Sequence, residues 1–140
     1  MSVYTKQNVE FNEYYIHYLV YKLGIVNVPK IYSYNASTKE LKMEKIHEMN
    51  ISDMYGDELS SVPRILISKI RKIIRLLDDN MIDYPDITGY NFIEYKDKIW
   101  IIDFGHAKLR SNDVPTTRFI DDFTGEIGNW DEISWNPEYK

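Results

Sequence analysis

The stretch from Arg64 to Gly105 constrains this chain more than any other part of its 140 residues. Leu66, Ile70, Ile73 and Leu77 recur at helical spacing with Ile67 and Ile74 beside them, which predicts an amphipathic helix over 64–80. Arg64, Lys69, Arg71, Lys72 and Arg75 share that helix and read as its solvated face. An irregular run, Met81 to Asn91, comes next. Two short β-prone segments, Phe92 to Tyr95 and Ile99 to Ile102, then predict a hairpin turning at Lys96 to Lys98. That hairpin delivers the chain into Asp103-Phe104-Gly105. Helix, loop and hairpin in this order put Asp86, Asn91 and Asp103 at three structural junctions.

Those three residue types suit one chemistry. Transfer of a phosphoryl group from a nucleotide asks for a carboxylate that orients or deprotonates the attacking hydroxyl, and Asp86 suits that role. It asks for hard oxygen ligands that hold magnesium against the phosphates, and Asn91 and Asp103 suit that one. A glycine beside the metal lets the backbone turn sharply, a role for Gly105. Neither D-x-x-x-x-N nor D-F-G is specific alone. Their combination, in this element order, is.

The rest of the chain supplies less. Phe11, Tyr15, Leu19 and Leu23 are spaced for one face of a helix that Gly24 stops, and Asn27-Val28-Pro29 breaks the chain after it. Lys30 to Tyr34 and Glu40 to Glu44 read as paired strands around a turn at Asn35 to Thr38. A short helix is expected at Ile51 to Tyr55. Beyond Arg110 periodicity is lost, and the tail carries Trp130 and Trp135, expected to pack onto the preceding lobe. The hydrophobic share of 44% is enough for a single core. The absence of cysteine excludes disulfides, thiol nucleophiles and thiolate zinc sites. His17, His47 and His106 are scattered without ligand-like spacing. The net charge of −5 argues against general nucleic-acid binding. With no signal-peptide core and no apolar run of membrane-spanning length, a cytoplasmic location is expected. The Ile-, Asn-, Asp-, Lys- and Tyr-rich composition points to an AT-rich coding genome, as in large DNA viruses or protists; for a virus, the location is the host cytoplasm.

Tyr84-Pro85-Asp86-Ile87-Thr88-Gly89-Tyr90-Asn91 resembles the catalytic loop H-R-D-L-x-x-x-N of protein kinases. Leu23 to Tyr32 is similar to the passage from the αC helix into the following strand, and Met43 to Ile46 to the hinge. Within that fold the nearest likeness is to the small atypical kinases of the KEOPS tRNA-modification complex and their RIO-like relatives, over roughly residues 10 to 110. The resemblance implies a reduced α+β kinase-like fold: a small antiparallel sheet with an αC-like helix, then a mainly helical lobe carrying the loop and hairpin. It implies one domain, with a reduced N-lobe and hinge at 1–46, a C-lobe at 47–110 and a tail at 111–140. It implies ATP and Mg2+ as cofactors. Asp86, Lys6 and Glu13 would be catalytic, with Glu10 a second partner for Lys6. Met43, Glu44, Ile46, Asn91, Ile102 and Asp103 would contact nucleotide, and Asn91 and Asp103 the metal.

The chain also departs from the family. No glycine-rich loop precedes the first helix, and no Ala-Pro-Glu follows the D-F-G. Tyr84 stands where the family has histidine and is expected to hold the D-F-G strand in its place. Pro85 replaces the arginine that reads a phosphorylated activation loop, although Thr116 and Thr117 stand where such phosphorylation occurs. The first expectation is a minimal atypical Ser/Thr protein kinase, partner-dependent if a second copy or another protein completes the nucleotide cover. The alternative is a weak or inactive kinase mimic that binds and modulates a protein partner. A small-molecule phosphotransferase ranks third.

Overall fold

A short strand, β1 (Val3–Lys6), leads into helix α1 (Phe11–Leu23) in the computed structural model, which describes residues 2–111, 123 and 134–136. The helix ends where the sequence predicts. Gly24 adopts the left-handed conformation, φ 66°, and its N–H donates to the Val20 carbonyl at 3.2 Å. The buried face is not the expected one. Ile16, His17 and Val20 point inward, whereas Phe11, Tyr15 and Leu23 are exposed. The helix is apolar and aromatic around most of its circumference, so spacing alone does not select a face.

After α1, strands β2 (Ile31–Asn35) and β3 (Glu40–Glu44) form an antiparallel hairpin. Its turn is held by the Asn35 side chain, whose Oδ1 accepts from the N–H groups of Ser37 and Thr38. β1 pairs with the other edge of β3, giving the order β1-β3-β2 with Lys6 opposite Leu41. Period-two alternation turns Leu41 and Met43 inward, where they pack with Val9 beneath α1. Tyr14 of the helix stacks on Tyr34 of the sheet, with ring centroids 4.3 Å apart.

Helix α2 (Ile51–Tyr55) is capped by Asn50, whose side chain accepts the Asp53 N–H at 2.8 Å. Helix α3 (Arg64–Asp79) buries Leu66, Ile67, Ile70, Ile74 and Leu77, with Ile73 at the margin. Each buried side chain contributes roughly 1.5–3 kcal/mol of transfer free energy. The same core takes in Ile16 and Val20 of α1, so it joins the sheet-bearing part to the helical part. No helix among the described residues is long and apolar enough to cross a membrane.

The stretch read as irregular contains a strand. β4 (Ile82–Asp83) pairs with a later strand, β7 (Lys108–Leu109), and closes residues 82–109 into a ring. Between them lie a 3-10 turn at Gly89–Asn91 and the hairpin β5 (Phe92–Tyr95) and β6 (Lys98–Ile101). Tyr95 pairs with Lys98, and Lys96 and Asp97 both have positive φ, 52° and 63°, as a two-residue hairpin turn of this hand requires. Arg110, almost fully buried, clamps the ring by pairing with Asp83 at 3.1 Å and Asp78 at 2.8 Å.

Residues 134–136 return to this ring. Trp135 lies against Phe92 with centroids 6.4 Å apart, and Asn136 bonds the carbonyls of Ile87 and Pro85. Thr116, Thr117 and Trp130 lie outside the described residues.

Candidate active site

Lys6 ends β1, and Glu13 sits in the first turn of α1. Only four residues separate strand from helix, and Asn8, at φ 59°, reverses the chain within them. That turn lets a separation of seven residues bring Lys6 Nζ within 2.6 Å of Glu13 Oε2. Glu10, the second candidate partner, pairs instead with Lys39 at 2.8 Å on the surface. Lys6 Nζ also lies 3.3 Å from Asp103 Oδ1. Burial pulls the Lys6 ammonium toward neutrality, but the Glu13 hydrogen bond and the charges of Asp103 and Glu13 together outweigh it. Its pKa is therefore raised above the usual lysine value, and the cation is secure at neutral pH.

Asp103 follows β6, and its Oδ1 accepts the Gly105 N–H at 2.8 Å. Gly105 is not in the left-handed region; a sharp turn is not what calls for glycine here. A Cβ on Gly105 would stand 3.1 Å from Asp103 Oδ1, tighter than ordinary contact, so glycine makes room for the Asp103 carboxylate. Tyr84, fully buried, donates its hydroxyl to the Asp103 carbonyl at 2.5 Å and meets Phe104 edge-on. Burial and then the neighbouring carboxylates hold the Tyr84 phenol well above its usual pKa, so it stays a donor.

Asp86 is 5% exposed, and its Oδ2 meets His106 Nδ1 at 2.7 Å. Burial raises its pKa, while the His106 hydrogen bond and charge work against that rise. Asn91 Nδ2 donates to the Asp86 carbonyl at 3.1 Å, which leaves the amide oxygen as the free end. The Asn91 carbonyl in turn accepts the Ile102 N–H at 3.1 Å, tying the loop to the strand that carries Asp103.

A cleft of about 320 Å³ lies between the sheet and this loop. Met43, Glu44, Ile46, Asn91, Ile102 and Asp103 all line it, together with Lys6 and Ile93. Glu44 offers it no backbone donor, because its N–H is bonded to the Lys30 carbonyl at 2.8 Å. Glu13 does not line the cleft but holds Lys6, which does. Asp86 lines a second cleft of about 690 Å³, and Tyr90 and Asn91 form a wall common to both. His106 is the site residue that sequence reasoning missed; its one signal was its place directly after the D-F-G.

The sequence matches no protein-family model and none of the curated proteins. The structure does find counterparts. PK-1, a kinase of Cydia pomonella granulovirus, superposes with a TM-score of 0.59 at 15% identity, over 76% of this chain and 43% of that one. The Rio2 kinase of Chaetomium thermophilum, solved as an ADP/Mg2+-phosphoaspartate complex, superposes with a TM-score of 0.57 at 15% identity, over 81% of this chain and 33% of that one. The fold is protein-kinase-like. The chain spans less than half the length of either counterpart. One of the two is an atypical kinase of the Rio type, the neighbourhood to which the loop and hinge residues point.

Among the described residues no three His, Cys, Asp or Glu side chains converge as a protein-only metal cage would require. At the loop side of the first cleft Asp103 offers a carboxylate and Asn91 an amide oxygen, while Glu44 lines it from the sheet side. Mg2+ typically takes one or two such protein ligands and fills its octahedron with phosphate and water oxygens. The residues present therefore fit a metal that arrives with a nucleotide.

Proposed function

We propose that this chain is a minimal atypical Ser/Thr protein kinase that transfers the γ-phosphate of ATP to a protein hydroxyl with Mg2+. The observation that carries this reading is the bridging position of Lys6, held by Glu13 and facing Asp103 across one cleft. The ADP and Mg2+ of the Rio2 complex favour the same ligands here.

In this reading Met43, Ile46, Ile93 and Ile102 give the adenine ring apolar walls. Lys6 positions phosphate oxygens, and Glu13 fixes Lys6 so that little reorganisation accompanies the reaction. Asn91 and Asp103 would hold Mg2+, which neutralises charge on the phosphates when bound. Asp86 orients the acceptor hydroxyl from the second cleft and takes up its proton. His106 occupies Oδ2 of that carboxylate, and Oδ1 remains for the hydroxyl.

The test is a thermal shift with ATP and Mg2+ against ATP and EDTA. The expected result is a metal-dependent rise in melting temperature that Asp103→Asn abolishes. No shift at millimolar nucleotide would overturn the proposal.

A further inference from the structure

The second cleft carries a charge pattern that the proposed reaction does not by itself require. Asp57 and Glu58, on the connection between α2 and α3, line it together with Asp86. Among the described residues no lysine or arginine lines it, and the one histidine, His106, is already bonded to Asp86. Tyr90, 40% exposed, adds aromatic surface. The Tyr90 hydroxyl donates to Asp57 Oδ1 and so fixes that carboxylate at the rim. That bond is also the first reason the Tyr90 phenol is held above its usual pKa, with partial burial and the charges of Asp57 and Asp53 behind it.

A second observation is independent of the charges. Trp135 is 2% exposed and lines the same cleft, yet its Nε1–H has no hydrogen-bond acceptor among the described residues. A buried donor left unpaired in a folded protein is unusual and calls for a partner. Asn136, the next residue, holds its own backbone and side chain against Ile87 and Pro85, so the indole is not a loosely placed group.

We infer that this cleft is the acceptor site and takes a basic, arginine-flanked segment of protein. The inference rests on the proposed role of Asp86 and adds the substrate class. A guanidinium matches both components of the cleft, because its planar fork pairs with carboxylates and its face packs on aromatic rings. The Trp135 N–H supplies a donor for a carbonyl of the bound segment. An acidic segment meets three carboxylates, with no countering lysine or arginine among the described residues, and is repelled.

Fluorescence anisotropy on the full chain tests this without depending on turnover. The probes are a labelled serine peptide flanked by arginines and the same peptide with glutamates in their place. The arginine peptide is expected to bind at least about tenfold more tightly. The double variant Asp57→Asn, Glu58→Gln shrinks that preference to about threefold or less while keeping the Mg-ATP thermal shift. Trp135→Phe weakens both peptides by roughly threefold or more, since the ring stays and the donor goes. Should the double variant not fold, the wild-type preference must still shrink as NaCl rises from about 50 to about 300 mM.

Equal binding of the two peptides, a preference that survives both the double variant and the salt, or displacement of the peptide by a free amino alcohol at lower concentration would overturn the inference. A Mg-ATP shift without arginine preference sinks the substrate class and spares the kinase reading. Arginine preference without a Mg-ATP shift sinks the kinase reading and leaves a binding site for basic segments.

Discussion

The hydroxyl of Tyr84 donates to the backbone carbonyl of Asp103 across 2.5 Å, joining the residue two before Asp86 to the first residue of the D-F-G. Both ends of the site are thereby set by one buried phenol. Tyr84→Phe keeps the ring against Phe104 and removes the donor, leaving that carbonyl without its bond. The expected loss is about 1–2 kcal/mol, or roughly 3–8 °C in melting temperature. A thermal melt of the variant that overlays wild type would show that the bond does not hold the loop.

Lys6 pairs with Glu13 at 2.6 Å while facing Asp103 at 3.3 Å. Lys6→Met keeps most of the side-chain volume and removes the charge that phosphate oxygens would meet. The Mg-ATP thermal shift should then be lost or cut to a small fraction of wild type, with Glu13→Gln intermediate because it leaves the cation in place but loosely held. A full shift in Lys6→Met would remove Lys6 from the nucleotide site.

Much of this arrangement was legible in the sequence, and the limits have physical causes. Both hairpins and the α3 stripe were readable because alternation and helical spacing repeat over enough residues to leave a signal. Asp86, Asn91 and Asp103 were readable because their spacing sits at element junctions. β4 and β7 were not, since two-residue strands have no periodicity to detect. The inward face of α1 was hidden by tyrosines on several sides; Ile16 and Val20 turn inward to the shared core, and Glu13 meets Lys6. The contact of His106 with Asp86 spans twenty residues and depends on the β4-β7 closure, which local pattern does not report.

Gly105 gives a sharper test of geometry than of flexibility. Its backbone suits any residue, so Gly105→Ala should leave the melting temperature within a few degrees of wild type. The added Cβ would stand 3.1 Å from Asp103 Oδ1, tighter than ordinary contact, and so displace that carboxylate beside Lys6, while Glu13 Oε1 at 3.5 Å remains at ordinary contact distance. The expected signature is a weakened Mg-ATP shift in a chain that still folds. A variant that unfolds would mean that glycine is needed for the backbone after all.

His17 supplies the pH dependence. Its Nε2 lies 2.8 Å from the Pro29 carbonyl and carries the proton that it donates there, and its ring packs on Phe104. Burial lowers its pKa from 6.5 to about 4, against the raising effect of the Pro29 bond; Lys6 adds to the lowering and Asp103 opposes it. The folded value lies below the unfolded one. The stability this contributes is therefore full above about pH 6.5 and is lost as pH falls through about 4. The loss amounts to at most about 3 kcal/mol. His17→Gln can donate to the same carbonyl and does not titrate. Melting curves collected between these pH values should converge for the two proteins as pH falls; parallel curves would contradict the assignment.

The last prediction separates the two clefts. Asp86 lines the second cleft and not the first, and its carboxylate is buried while the His106 side chain that holds it is 60% exposed. Asp86→Asn preserves shape and the contact with His106 but cannot take up a proton. Its Mg-ATP shift should match wild type, while phosphoryl transfer falls by roughly 10²–10⁴-fold. His106→Ala leaves the carboxylate intact and frees its rotamer, so transfer should fall by about threefold to tenfold with the nucleotide shift again unchanged. The ordering is the informative part. A His106 variant as inactive as Asp86→Asn would move the proton-accepting role to the imidazole, with Asp86 orienting it. A Asp86→Asn chain that transfers phosphate at the wild-type rate would leave the second cleft without a part in the chemistry.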